Sequence, residues 1–195
     1  MGCSTTRRWQ ILTFGLLWLA YCITYFLRKP LGIIKGDLSS ELGLTKVSLG
    51  WCDLALSLPY ALVQLCLPFL SDKFGARWIL SSCLLGAGVS AYFTSHAVGS
   101  LTLCLALSIT GGFLGPCWPT LSKFLASWFP DNRLNSVFGA INTATYSGGV
   151  GGSALGVALL EYSGWRSVFL PPAAISIAIA GHISHRLSSL HILSI

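Results

Sequence analysis

The chain has 195 residues, a net charge of +6, only 9% charged residues and a mean hydropathy of +0.71. Soluble domains carry roughly 25% charged residues, so this composition excludes a soluble globular protein. The twelve Lys and Arg are scattered singly or in pairs between apolar stretches, with no basic stripe interleaved with aromatics, which excludes nucleic acid as a partner.

Six stretches are long and apolar enough to cross a bilayer as helices, which takes roughly 20 residues each. The first runs from Trp9 to Ile34 behind Arg7 and Arg8. It starts like a secretory signal, but its apolar run is long and no small-x-small cleavage site follows, so it reads as a retained signal anchor. Ahead of it, Met1-Gly2-Cys3-Ser4-Thr5-Thr6 fits the N-myristoylation pattern with Cys3 open to palmitoylation, although a chain with six spans gains little from a lipid. Near the far end of this stretch two adjacent cations, Arg28 and Lys29, interrupt the apolar run. A charge facing lipid is costly, so the pair marks a bundle interior, a water-filled cavity or an interface, and the Arg28-Lys29 dipeptide is the first candidate for an anion site. The alternative is a snorkelling pair at the interface. Lys29 points about 100° away from Arg28 on a helix and reads as structural.

The second stretch runs from Val47 to Leu70 and carries Asp53 near its start and Gln64 near its end. Asp53 reads as an acid stabilised at a helix N-terminus, with pairing to Arg28 or Lys29, or proton coupling, as alternatives. The third, fourth, fifth and sixth stretches run from Trp78 to Ser95, Leu101 to Phe124, Ser136 to Leu160 and Val168 to Leu187, leaving 188–195 as a short tail. Gly111 and Gly115 in the fourth, and Gly148, Gly152 and Gly156 in the fifth, recur every four residues. Such faces let helix backbones approach closely, so packing is the reading here rather than a phosphate-cradling loop. Asn142, Thr145 and Tyr146 lie within about one turn of the fifth helix and, with Tyr25 and Gln64, form a candidate polar lining. Interhelical hydrogen bonding is the alternative.

If the N-terminus is cytoplasmic, Arg7, Arg8, Lys73, Arg77, Lys123, Arg133 and Arg186 share that side. The bias predicts both termini in the cytoplasm of a multi-pass membrane protein, with the endoplasmic reticulum and the plasma membrane both open. The expected fold is all-α, one six-helix transmembrane bundle over 1–187 with the lipid bilayer around it. Seven scattered cysteines without a Cys-x-x-Cys pair read as packing residues. His96 falls in a loop and His182, His185 and His191 in the terminal segment, so no metal or other cofactor is expected. No nucleophile–base pair or ligand cluster indicates an enzyme.

Leu67-Pro68-Phe69-Leu70-Ser71-Asp72-Lys73-Phe74-Gly75-Ala76-Arg77-Trp78 joins the second and third stretches. It resembles the signature loop of the major facilitator superfamily at Asp72, Gly75 and Arg77, with Leu67 where that family usually has Gly. Gly75 permits positive φ, and Arg77 suits interfacial phosphate. The resemblance implies that these three residues help latch the two halves of a transporter, with an ordinary positive-inside turn as the alternative. A narrower resemblance, to the organophosphate:phosphate antiporter family that includes glycerol-3-phosphate transporters and glucose-6-phosphate translocases, rests on three motifs. They are Tyr25-Phe26-Leu27-Arg28-Lys29, Gly115-Pro116-Cys117-Trp118-Pro119-Thr120-Leu121-Ser122-Lys123 and Gly164-Trp165-Arg166.

That resemblance implies a secondary transporter exchanging phosphate esters for inorganic phosphate by alternating access, with Arg28 clamping phosphate through its donor fork. Tyr25, Gln64, Trp118, Asn142, Thr145 and Tyr146 would line the site. Gln64 stands where glycerol-3-phosphate-transporting members have a lysine, and Thr145 where they have a histidine, which implies a less cationic, hydrogen-bonding pocket. The family has twelve helices in two halves, and this chain matches the first. A second half-transporter or a homodimer is the implied partner, and a truncated, non-transporting half that regulates a membrane protein is the rival expectation.

Overall fold

The computed structural model describes residues 3–66 and 73–191, a set that leaves Gly2 and Asp72 outside. Helix α1 spans Cys3–Arg28. Pro30 then opens a single-turn helix α2, Pro30–Ile33, where its missing N–H and fixed φ are tolerated. Helix α3, Lys35–Glu41, follows directly, and α4 covers Lys46–Cys66. Next come α5, Ala76–Ser95; α6, Ser100–Leu114; α7, Cys117–Trp128; and α8, Asp131–Ser163. A 3₁₀ segment, Trp165–Phe169, leads into α9, Leu170–His191.

Two glycines make turns that other residues resist. Gly75 has φ 81° immediately before α5, and Gly164 has φ 76° between α8 and the 3₁₀ segment. The expected fourth stretch, Leu101–Phe124, is two helices, because Pro116 at the start of α7 lacks the N–H that would continue α6.

Among the described residues, five segments are long and apolar enough to cross a membrane: Gln10–Ile33, Lys46–Cys66, Ala76–Ser95, Ser100–Trp128 and Trp165–His185. Helix α8 is not one of them despite its 33 residues. It is longer at both ends than the expected Ser136–Leu160, and its Asn, Thr, Ser and Gly residues dilute the apolar content.

Helix α1 packs on α8, α4 on α6, and α5 on both α6 and α9. The glycine faces make these seams close. A Cβ at Gly148 would lie 2.5 Å from the carbonyl oxygen of Cys22, at Gly152 3.1 Å from the Cα of Phe26, and at Gly156 2.8 Å from Ile33 Cδ1. On the α4–α6 seam a Cβ at Gly111 would lie 2.0 Å from the Leu56 carbonyl oxygen. Small residues thus replace the hydrophobic drive that water supplies to soluble bundles. Buried hydroxyls tie α5 to its neighbours: Ser90 donates to the Ala106 carbonyl at 2.6 Å, and Ser176 of α9 donates to the Leu84 carbonyl at 2.8 Å.

One end of the bundle is closed by polar contacts. Glu41, at the end of α3, accepts from the Trp165 indole N–H at 2.7 Å and pairs with the Arg166 guanidinium. The hydrogen bond from Arg166, and then that from Trp165, hold the Glu41 carboxyl below the usual carboxylate range. Its contribution to stability is therefore complete above the unfolded glutamate value of about 4.3 and is lost as pH falls through the depressed folded value. Glu41→Gln is expected to lower thermal stability modestly at neutral pH and to flatten the acid limb. Tryptophan-fluorescence unfolding at stepped pH checks this, and an unchanged acid limb would count against a persistent contact.

Candidate functional site

Three residues of α1, Tyr21, Tyr25 and Arg28, are spaced by four and three and so share one helix face. Tyr21 and Tyr25 meet edge to face with ring centroids 5.6 Å apart and hydroxyls 3.4 Å apart. The Arg28 guanidinium carbon lies 4.3 Å from the ring centroid of Tyr60 on α4 and 5.6 Å from that of Tyr25. Both are within cation–π range. Trp118 of α7 faces Tyr21 at a centroid distance of 5.0 Å. Arg28, Tyr25, Tyr21, Tyr60 and Trp118 thus form one continuous cluster drawn from three helices.

Glycines allow this convergence. Gly115, just before α7, would place a Cβ 2.8 Å from the Tyr60 carbonyl oxygen and 3.2 Å from the Gln64 backbone nitrogen, so only glycine lets that turn of α4 come so close. Gly148 does the same for α8 against Cys22 and Tyr25. Pro59, immediately before Tyr60, lies inside α4 and leaves the Ala55 carbonyl without its i+4 donor.

The ionic setting of Arg28 differs from that of the other cations nearby. Lys35 pairs with Asp53 at 2.5 Å and Arg166 with Glu41. Among the described residues no carboxylate lies within ion-pair distance of Arg28. Asp53 therefore pairs with Lys35 and not with Arg28 or Lys29, because the break at Pro30 and the start of α3 carry Lys35 back toward the head of α4. Lys29 is exposed, and its Cε lies 3.5 Å from where a Cβ at Gly149 would be. The half-buried guanidinium of Arg28 is thus a cation whose partners here are aromatic faces.

The other sequence-predicted residues fall at different distances from this centre. Gln64 is half-buried one turn beyond Tyr60 on α4. Thr145 of α8 donates to the Asn142 side-chain oxygen at 3.2 Å, and the neighbouring Thr143 hydroxyl accepts from the Trp18 indole at 2.9 Å. These contacts set the polar turn of α8 beside α1. Tyr146 is 71% exposed. Gly75 and Arg77 lie at the head of α5, with the Arg77 guanidinium 4.8 Å from the Trp78 ring centroid. Sequence reasoning missed Tyr60 and Tyr21. Each precedes a named candidate, Gln64 or Tyr25, by four residues, and that spacing was the available signal.

The chain resembles known transporters in sequence and in fold. The description "Major Facilitator Superfamily" belongs to the family pattern that matches residues 17–184. A D-galactonate transporter of Escherichia coli O6:H1 is 27% identical over 170 residues, covering 87% of this chain and 40% of that protein. A probable hexose phosphate transport protein of Chlamydia pneumoniae is 24% identical over 181 residues, covering 93% and 40%. A putative glycerol-3-phosphate transporter of Arabidopsis thaliana is 30% identical over 187 residues, covering 88% and 37%. The chain therefore spans about 40% of the length of the curated relatives it matches. Its fold matches a bacterial homologue of the human lysosomal transporter Spinster in the inward-facing, occupied conformation, with a TM-score of 0.80 and 19% identity, covering 89% of this chain and 43% of the other. With the match extending over nearly all of its helices, the chain belongs to the Major Facilitator Superfamily and has the architecture of one six-helix half of that fold.

Proposed function

We propose that this chain supplies one half of a secondary active transporter that exchanges organic phosphate esters for inorganic phosphate by alternating access. The observation that carries the proposal is Arg28, a guanidinium near the end of the first span with aromatic rather than carboxylate neighbours. Its donor fork matches two phosphate oxygens at once. Tyr25, Tyr60 and Trp118 supply apolar faces for the organic part of the substrate and hydroxyl or indole donors at its edge. Gln64, Asn142 and Thr145 add hydrogen-bonding capacity. Relatives named as hexose phosphate and glycerol-3-phosphate transporters support this substrate class.

A second reading is transport of a different organic anion, a carboxylate. The replacement of two expected cationic positions by Gln64 and Thr145 favours it, since one guanidinium balances a single carboxylate, and a D-galactonate transporter is among the relatives. Vesicles holding a twelve-helix transporter built on this half, preloaded with inorganic phosphate, separate the two readings. Uptake of a labelled phosphate ester that needs internal phosphate supports the first reading. Uptake of a sugar acid independent of phosphate supports the second. Ester binding without any uptake would point to the regulatory, non-transporting half.

The same reading places both termini in the cytoplasm and Asp72, Gly75 and Arg77 in a latch against the second half. Tags before Arg7 and after Ile195 are expected to be digested together by protease added to the cytoplasmic side of sealed vesicles. Protection of one tag alone would rule out six crossings.

A further inference from the structure

The described cysteines are free thiols, and two of them form a pair across the α4–α6 seam. The sulfur of Cys52 lies 3.4 Å from that of Cys104, each in the first two turns of its helix. Cys52 has no exposed surface, while Cys104 is half-buried. The next residue after Cys52 is Asp53, whose ion pair with Lys35 leaves 47% and 38% of the two side chains exposed. Cys52 therefore adjoins a partly exposed ion pair, and the half-buried Cys104 is the more accessible of the two thiols. The Cys83 and Cys117 pair is different: both residues are buried, Cys83 in the third turn of α5 and Cys117 at the first position of α7.

We propose that Cys52 and Cys104 are a redox-active pair that closes to a disulfide, stapling α4 to α6 at the end of the bundle that carries Lys35, Asp53, Glu41 and Arg166. The oxidant is a disulfide of the glutathione class. The half-buried Cys104 thiolate attacks it, forming a mixed disulfide and releasing one thiol. The Cys52 thiol then gives up its proton, attacks the Cys104 sulfur of that mixed disulfide and displaces the second thiol, so that one external disulfide is reduced to two thiols as one internal disulfide forms. Exchange of this kind needs a thiolate and a short approach, and the tightly packed seam provides the second. Once closed, the bond constrains the unfolded chain and holds the helix bearing Tyr60 in register with its neighbour.

The test uses the whole chain in sealed vesicles exposed to a series of oxidised-to-reduced glutathione ratios, then denatured and tagged on free thiols. Two fewer tagged cysteines and a peptide joining Cys52 to Cys104 are expected, reversed by reductant. The link should persist in Cys83→Ser and disappear in Cys104→Ser. A stable glutathione adduct on Cys104 with Cys52 still free, a link through any other cysteine, or full tagging across the whole series would each overturn the proposal.

Discussion

Arg28→Ala is expected to weaken binding of a phosphate ester by roughly 30- to 150-fold, because a hydrogen bond to a charged group contributes about 2–3 kcal/mol and each 1.4 kcal/mol is about tenfold. Arg28→Lys should be nearly as damaging despite keeping the charge. An ammonium lacks the planar fork and stacks less well on the Tyr60 ring now 4.3 Å from the guanidinium carbon. Lys29→Ala should change little, since Lys29 is exposed and turned toward α8. Equilibrium binding to the detergent-purified chain and exchange by the twelve-helix transporter both read the effect. Unaltered exchange by Arg28→Ala would make Arg28 an interfacial snorkelling residue and remove the main support for an anion site.

Gly111→Ala is expected to destabilise the bundle by about 3 kcal/mol or more, at or beyond the upper end of ordinary overpacking costs. The added Cβ would sit 2.0 Å from the Leu56 carbonyl oxygen, and this backbone atom cannot step aside as a side chain does. The neighbouring Gly112 has nothing within 4 Å of its would-be Cβ, so Gly112→Ala should be neutral or mildly stabilising through helix propensity. Thermal unfolding of the two variants followed side by side settles the contrast. Equal stability of both would mean that the α4–α6 seam is looser than the structure has it.

Several of these features were legible from residue spacing. Glycines every four positions declare a close helix contact, and cations inside an apolar run mark a position that needs neighbours other than lipid. The identity of the contact partner was not legible: nothing in the order of residues says that the Gly148–Gly156 face meets Cys22, Phe26 and Ile33. Tyr60 escaped notice because an aromatic residue in an apolar helix reads equally well as packing or as lipid contact. The pairing of Asp53 with Lys35 depends on how α1 ends at Pro30 and α3 turns back, a three-dimensional outcome of one imino acid. Asp72, the acid of the latch motif, lies outside the described residues, and its role stays with the proposal made above.

Helix α8 has a consequence for biogenesis. With its glycines, asparagines and serines it falls short of the apolarity that lets the other spans enter a membrane by themselves. Insertion of a span is governed by its partition between aqueous and lipid phases, and a weakly apolar helix partitions better onto protein already there. The face that makes α8 a poor independent entrant is the one that docks on α1, with Gly148, Gly152 and Gly156 against Cys22, Phe26 and Ile33. Helix α1 is the docking surface that α8 meets more than a hundred residues later in synthesis, and lesions at Cys22 or Phe26 should surface as failed integration of α8 before they surface as lost transport.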